Sequence, residues 1–171
     1  RSMRASGRSV DVFNVALPGW STRQERIAYE RIGRKYKPTE VILAVCLNDL
    51  AELQINLTKP PGFLLTLFKH SSAVRMALGA SRREIGAVEE LFTAPDADRV
   101  NNAFRLFFEE VRALRAAVTA DGATFHIVVF PFRFQVEPPA PSPSVQRRLA
   151  DFAAAQGIPF LDLLPALEKF D

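Results

Sequence analysis

The run Val41-Ile-Leu-Ala-Val-Cys-Leu47, followed at once by Asn48-Asp49, constrains this chain more than any other stretch. Seven consecutive apolar residues are too few for a free-standing helix, and their β-branched content favours a strand. Continuous apolarity, in place of alternation, predicts a parallel strand covered on both faces. Asn48 and Asp49 then fall at its carboxyl end, the edge where ligands bind in open α/β sheets. An asparagine amide there can donate two N–H bonds to a developing oxyanion. Asn-Asp is also ordinary turn chemistry, so a plain strand-ending turn is the competing reading.

Upstream, Val10 to Ala16 reads as an earlier strand, and Leu17-Pro-Gly-Trp-Ser-Thr22 as a tight turn. A helix is expected over 22–36, ended by Pro38. Ser21 or Thr22 can cap it, with Glu25 three residues beyond Thr22 in capping-box spacing. Gly19 permits close backbone approach to a ligand. Two strand ends, one offering a glycine N–H and one an asparagine amide, make a plausible oxyanion hole.

The pattern Asn14-x4-Gly19-x-Ser21-Thr22-x-Gln24, with a later strand ending Leu47-Asn48-Asp49, resembles the SGNH hydrolases, also called GDSL esterases and lipases. The resemblance implies that Gly19 and Asn48 are the oxyanion-hole donors, and Asp49 is expected to orient the Asn48 loop. It implies acyl transfer through a serine nucleophile, to water or to a sugar hydroxyl. The family's Gly-Asp-Ser nucleophile block and its Asp-x-x-His block have no counterpart here, and no histidine follows His126. The resemblance therefore spans about Val10 to the end, and the expectation is a domain truncated at both ends or a degenerate member. The nucleophile is unknown, and Ser21 is not assigned to that role. Two rivals accompany the esterase: a polysaccharide O-acyltransferase on the same fold, and a binding module that has lost its triad.

The remaining elements fit an α/β chain. Residues 51–98 read as a variable helical insertion, with a Phe/Leu-rich amphipathic helix over 63–78 and either a short helix or a mobile segment over 82–92. Val100 to Ala120 carries the strongest helical spacing, and Thr124 to Phe130 reads as a second continuous apolar strand. Pro131 to Val136 follows that strand's carboxyl end, and this stretch is similar to the corresponding strand end in SGNH proteins. Arg133 and Gln135 are therefore candidates for substrate contact, against a simple loop-packing role. A helix over 144–156, stopped by Gly157, and a short strand over 158–163 complete the pattern.

The expected architecture is one domain over 1–171: a three-layer sandwich around a central parallel sheet, SGNH-hydrolase-like and flavodoxin-like. At 171 residues the chain can bury a substantial core. The net charge of +3 is spread along the sequence, without the aromatic-interleaved basic motif of a nucleic-acid binder. No Gly-rich phosphate loop occurs, and the histidines lack metal-ligand spacing, so no cofactor and no metal are expected. No transmembrane span is read, and the expected partner is a small-molecule or carbohydrate ester. The single cysteine, Cys46, reads as a small buried hydrophobe.

Overall fold

A computed structural model describes residues 2–5, 8–17, 20–55, 80–137 and 139–169. A three-stranded parallel sheet lies at its centre, in the order β3–β4–β5: β3 is Glu40–Cys46, β4 is Thr124–Phe130 and β5 is Phe160–Asp162. The β3–β4 ladder is in register from Glu40 opposite Thr124 to Cys46 opposite Phe130. The helices are α1 (Thr22–Arg31), α2 (Asn48–Ile55), α3 (Ala80–Thr93), α4 (Asp98–Ala120), α5 (Arg133–Val136), α6 (Ser144–Gln156) and α7 (Leu164–Leu167). None among the described residues is long and apolar enough to cross a membrane.

The core lies on one face of the sheet. Leu43 and Val45 of β3 and Phe125, Ile127 and Val129 of β4 alternate inward. They meet Val100, Phe104, Phe107, Val111, Leu114 and Val118, the buried stripe of α4. Val145, Leu149 and Phe152 of α6 join the same cluster. The spacing of the α4 stripe is that of one helical face, so its burial follows from the sequence. At the end of α6, Gly157 takes φ +62°, which lets the chain turn straight into β5.

The structure departs from several expectations. The opposite sheet face is not covered among the described residues: Ile42 is 61% exposed and Leu161 53%. The strands alternate in burial although they do not alternate in polarity, and the core among the described residues lies on one face where cover on both was expected. The segment Val10–Ala16 does not join the parallel sheet. Arg8–Asp11 (β2) instead pairs antiparallel with Ser2–Ala5 (β1), and residues 12–17 form no regular element. Asn14 Oδ1 accepts the Ala16 N–H at 2.9 Å, a local bond that competes with a ladder.

The helix expected over 22–36 divides, with α1 ending at Arg31 and a 3-10 turn over Gly33–Tyr36. Gly33 sits so close to the Tyr29 ring that a β-carbon would come 3.0 Å from Cδ2, and Lys37 leaves at φ 49°. Lastly, Asn48 opens α2 where a strand-ending turn was the alternative. The short helix expected over 82–92 is the longer α3. The amphipathic helix read over 63–78, with His70, lies outside the described residues.

Polar contacts lock α1 onto α4. Arg26 Nε donates to Glu110 Oε2 at 2.7 Å. The Tyr29 hydroxyl donates to Asp121 Oδ2 at 2.8 Å, and Arg34 grips the same carboxylate through two nitrogens at 3.0 and 2.9 Å. These bonds hold Asp121 below the usual carboxylate range, led by the Tyr29 hydroxyl, while burial pushes Tyr29 up to about 12.

Candidate functional site

The carboxyl end of β3 and the first turn of α1 form the candidate site. At the end of β3, Asp49 is buried and its Oδ2 accepts the Cys46 N–H at 3.1 Å. A carboxylate in the first turn of a helix also suits the positive end of the dipole. Asn48, one residue earlier, is exposed. The neighbours thus divide the work: Asp49 turns inward and fixes the strand-to-helix corner, and Asn48 is left facing solvent.

The α1 end is built by Ser21 and Gln24. The Ser21 N–H donates to Gln24 Oε1 at 2.8 Å, and Ser21 Oγ donates to the same oxygen at 3.2 Å. The residue closing this N-terminus is therefore Gln24, where Glu25 was expected. Ser21 is buried and engaged, while His126 lies near the amino end of the sheet, opposite Ile42 in register and 3.8 Å from Glu40. Gly19 lies outside the described residues.

Glu25 was missed as a site residue. It turns inward, its Oε2 is buried with no partner among the described residues, and burial pushes its pKa up to about 7. The signal was present in the sequence: Ala28 and Tyr29, three and four residues on, are apolar and occupy the same helical face. Burial raises the Cys46 thiol, and the Asp49 and Glu25 carboxylates raise it further. Cys46 itself is exposed, against the expectation of a buried hydrophobe, because it belongs to the sheet face left uncovered among the described residues. Glu25 and Asp49 both act on Cys46, so the two segments share one electrostatic environment. A carboxyl that titrates near neutrality can exchange protons at working pH. Beside Ser21, Thr22 is 1% exposed with its Oγ1 unpartnered among the described residues.

Arg133 and Gln135 fall on α5, beyond the carboxyl end of β4. They part company there. Arg133 is exposed and its Nε donates to Glu137 Oε1 at 2.6 Å, one turn on. Gln135 is buried, its Oε1 accepting the Phe132 N–H at 3.0 Å. Along residues 12–17, Trp20, Ile32 and Tyr36 line a shallow, largely apolar cleft of about 460 Å³ leading toward the start of α1. The described residues bring no three His, Cys, Asp or Glu side chains together as a metal would require.

No family model matches the chain, and no curated protein or solved structure matches it.

Proposed function

We propose that this chain carries the oxyanion-binding half of a serine-dependent ester hydrolase of the SGNH type, on an α/β fold built around a parallel sheet. The observation that carries the reading is the pairing at the end of β3. Asn48 is exposed at the carboxyl edge of a parallel strand, while its neighbour Asp49 is buried and bonded to the Cys46 N–H. A donor amide held beside a fixed corner is what stabilisation of a developing negative charge needs. The sequence resemblance adds Gly19, whose backbone N–H is the second donor.

In this reading a serine oxygen attacks the ester carbonyl carbon, and its proton passes to a histidine. The carbonyl π pair moves onto oxygen, where Gly19 N–H and the Asn48 amide hold the charge. Collapse of the tetrahedral adduct expels the alcohol, which takes the proton from the histidine. Water then attacks the acyl-enzyme by the same route. The serine and the Asp-His pair are not assigned to residues of this sequence.

A fluorophosphonate serine probe tests the proposal on this chain and on the natural protein that contains it, read by peptide mass spectrometry. The expected result is labelling of the natural protein on a serine outside residues 1–171. Absence of labelling in both overturns the esterase reading.

A further inference from the structure

A second cavity, of about 320 Å³, lies between α5, α6, β5 and α7. Its size is within the range of small-molecule sites, about 300–1,000 Å³. Gln135 and Gln146 line it, and they are only 1% and 2% exposed. Three of their side-chain amide atoms are buried without a partner among the described residues: Gln135 Nε2, Gln146 Nε2 and Gln146 Oε1. The remaining one, Gln135 Oε1, accepts the Phe132 N–H.

Packing does not explain this choice of residue. Gln146 follows Val145 and precedes Leu149 on α6, both of them core residues. A leucine or methionine would fill its place with no polar atom to satisfy. Orphaned amides beside a cavity indicate partners supplied by whatever fills it.

We propose that this cavity binds a neutral polyhydroxylated ring, such as a pyranose unit, with Gln135 and Gln146 as its readers. The available groups are two NH₂ donors and one carbonyl acceptor, and the group that answers both is a hydroxyl, which donates and accepts. Charge excludes the simpler ions. An anion would satisfy the NH₂ groups but meet the Gln146 carbonyl and the Asp162 and Glu168 carboxylates that also line the cavity. A cation would meet the two NH₂ groups and Arg147. Phe160, Pro141 and Pro143 supply apolar walls suited to the C–H face of a saturated ring. The cavity opens beyond the carboxyl ends of β4 and β5, the ligand-binding edge of such sheets. The inference does not depend on ester hydrolysis, since it concerns binding alone and does not involve Asn48.

The test is a titration of the ¹⁵N-labelled chain with methyl β-D-glucopyranoside, following the side-chain NH₂ signals of Gln135 and Gln146. Saturable shifts at both pairs, with a Kd in the millimolar range, are expected. Gln146→Leu is expected to abolish the saturable shift of Gln135 and to leave the far-UV spectrum and melting temperature intact or improved. Sodium acetate is the charged control and is expected to cause no saturable change. Unmoved amide signals with the glycoside overturn the proposal, as this is the result if ordered water alone fills the cavity. Undiminished binding to Gln146→Leu, or equal binding of acetate, overturns it as well. Gln135→Leu provides the same reading should Gln146→Leu fail to fold.

Discussion

Two regions of the molecule are built from similar apolar residues, yet they differ in how far local sequence decides their structure. In one, α4, β4, α6 and β5 form a continuous series in which each helix packs its apolar stripe on the strands beside it. In the other, Val12 to Leu17 is as apolar as a strand but forms no strand of the parallel sheet, and Val12, Phe13 and Leu17 are exposed. A helix satisfies its backbone within itself, whereas a strand depends on a neighbour. The boundaries of β4 and α6 were legible to the residue because a ladder or a stripe awaited them. The fate of 12–17 depended on a distant partner that composition does not encode.

Substitutions sharpen that contrast. Phe107, on the buried stripe of α4, is 1% exposed, and Phe107→Ala is expected to cost about 3–5 kcal/mol by chemical denaturation. A cost under about 1 kcal/mol would mean that the helix–sheet core is not where stability resides. Next in size is Asp49→Ala, which leaves the Cys46 N–H without its acceptor. A loss of about 1–3 kcal/mol is expected, with Asp49→Asn recovering part of it. Equal stability of Asp49→Ala and wild type would remove the fixed corner beside Asn48.

Glu25 gives a pH-dependent effect of intermediate size. Its folded pKa of about 7 lies above its ordinary value of 4.5 because burial disfavours the charge. Between those values the unfolded chain has released the proton and the folded chain retains it. Stability therefore falls as pH rises through the window from about 4.5 to about 7, and this contribution is level above it. Allowing for solvent screening of a partly exposed carboxyl, the loss is on the order of 2 kcal/mol. Glu25→Gln is expected to flatten that part of the stability–pH profile, measured by urea melts at pH 4 to 8. A profile of unchanged slope would place the ionisation elsewhere.

The smallest effect belongs to residues 12–17. Phe13 is exposed and stacks on Tyr36 at 4.4 Å between ring centroids, so Phe13→Ala is expected to cost about 1 kcal/mol or less. A loss as large as that of Phe107→Ala would show the segment to be part of the core and erase the contrast between the two regions.

The candidate site was legible to different depths for the same physical reason. Asn48 at a strand end follows from an apolar run that stops at a polar pair, a purely local signal. Gln24 displaced Glu25 at the start of α1 because both residues could serve the cap, and only tertiary burial decides which turns inward. Gln146 was invisible as a functional candidate, since a glutamine within a helical pattern reads as a solvated position until its face is known to be buried. Arg133 and Gln135 sat together in the sequence reading, and the short helix α5 separated them into an exposed and a buried residue.

The most direct test of the central claim, that Asn48 is a donor to the oxyanion, is the rate of fluorophosphonate labelling in the natural protein with and without Asn48→Ala. The phosphonyl adduct places its oxygen where a tetrahedral oxyanion would lie, so loss of the amide should slow labelling. A decrease on the order of 10²–10³, with the fold retained, is the expected result. Labelling at the wild-type rate would contradict the account and leave Asn48 as the first residue of a helix and nothing more.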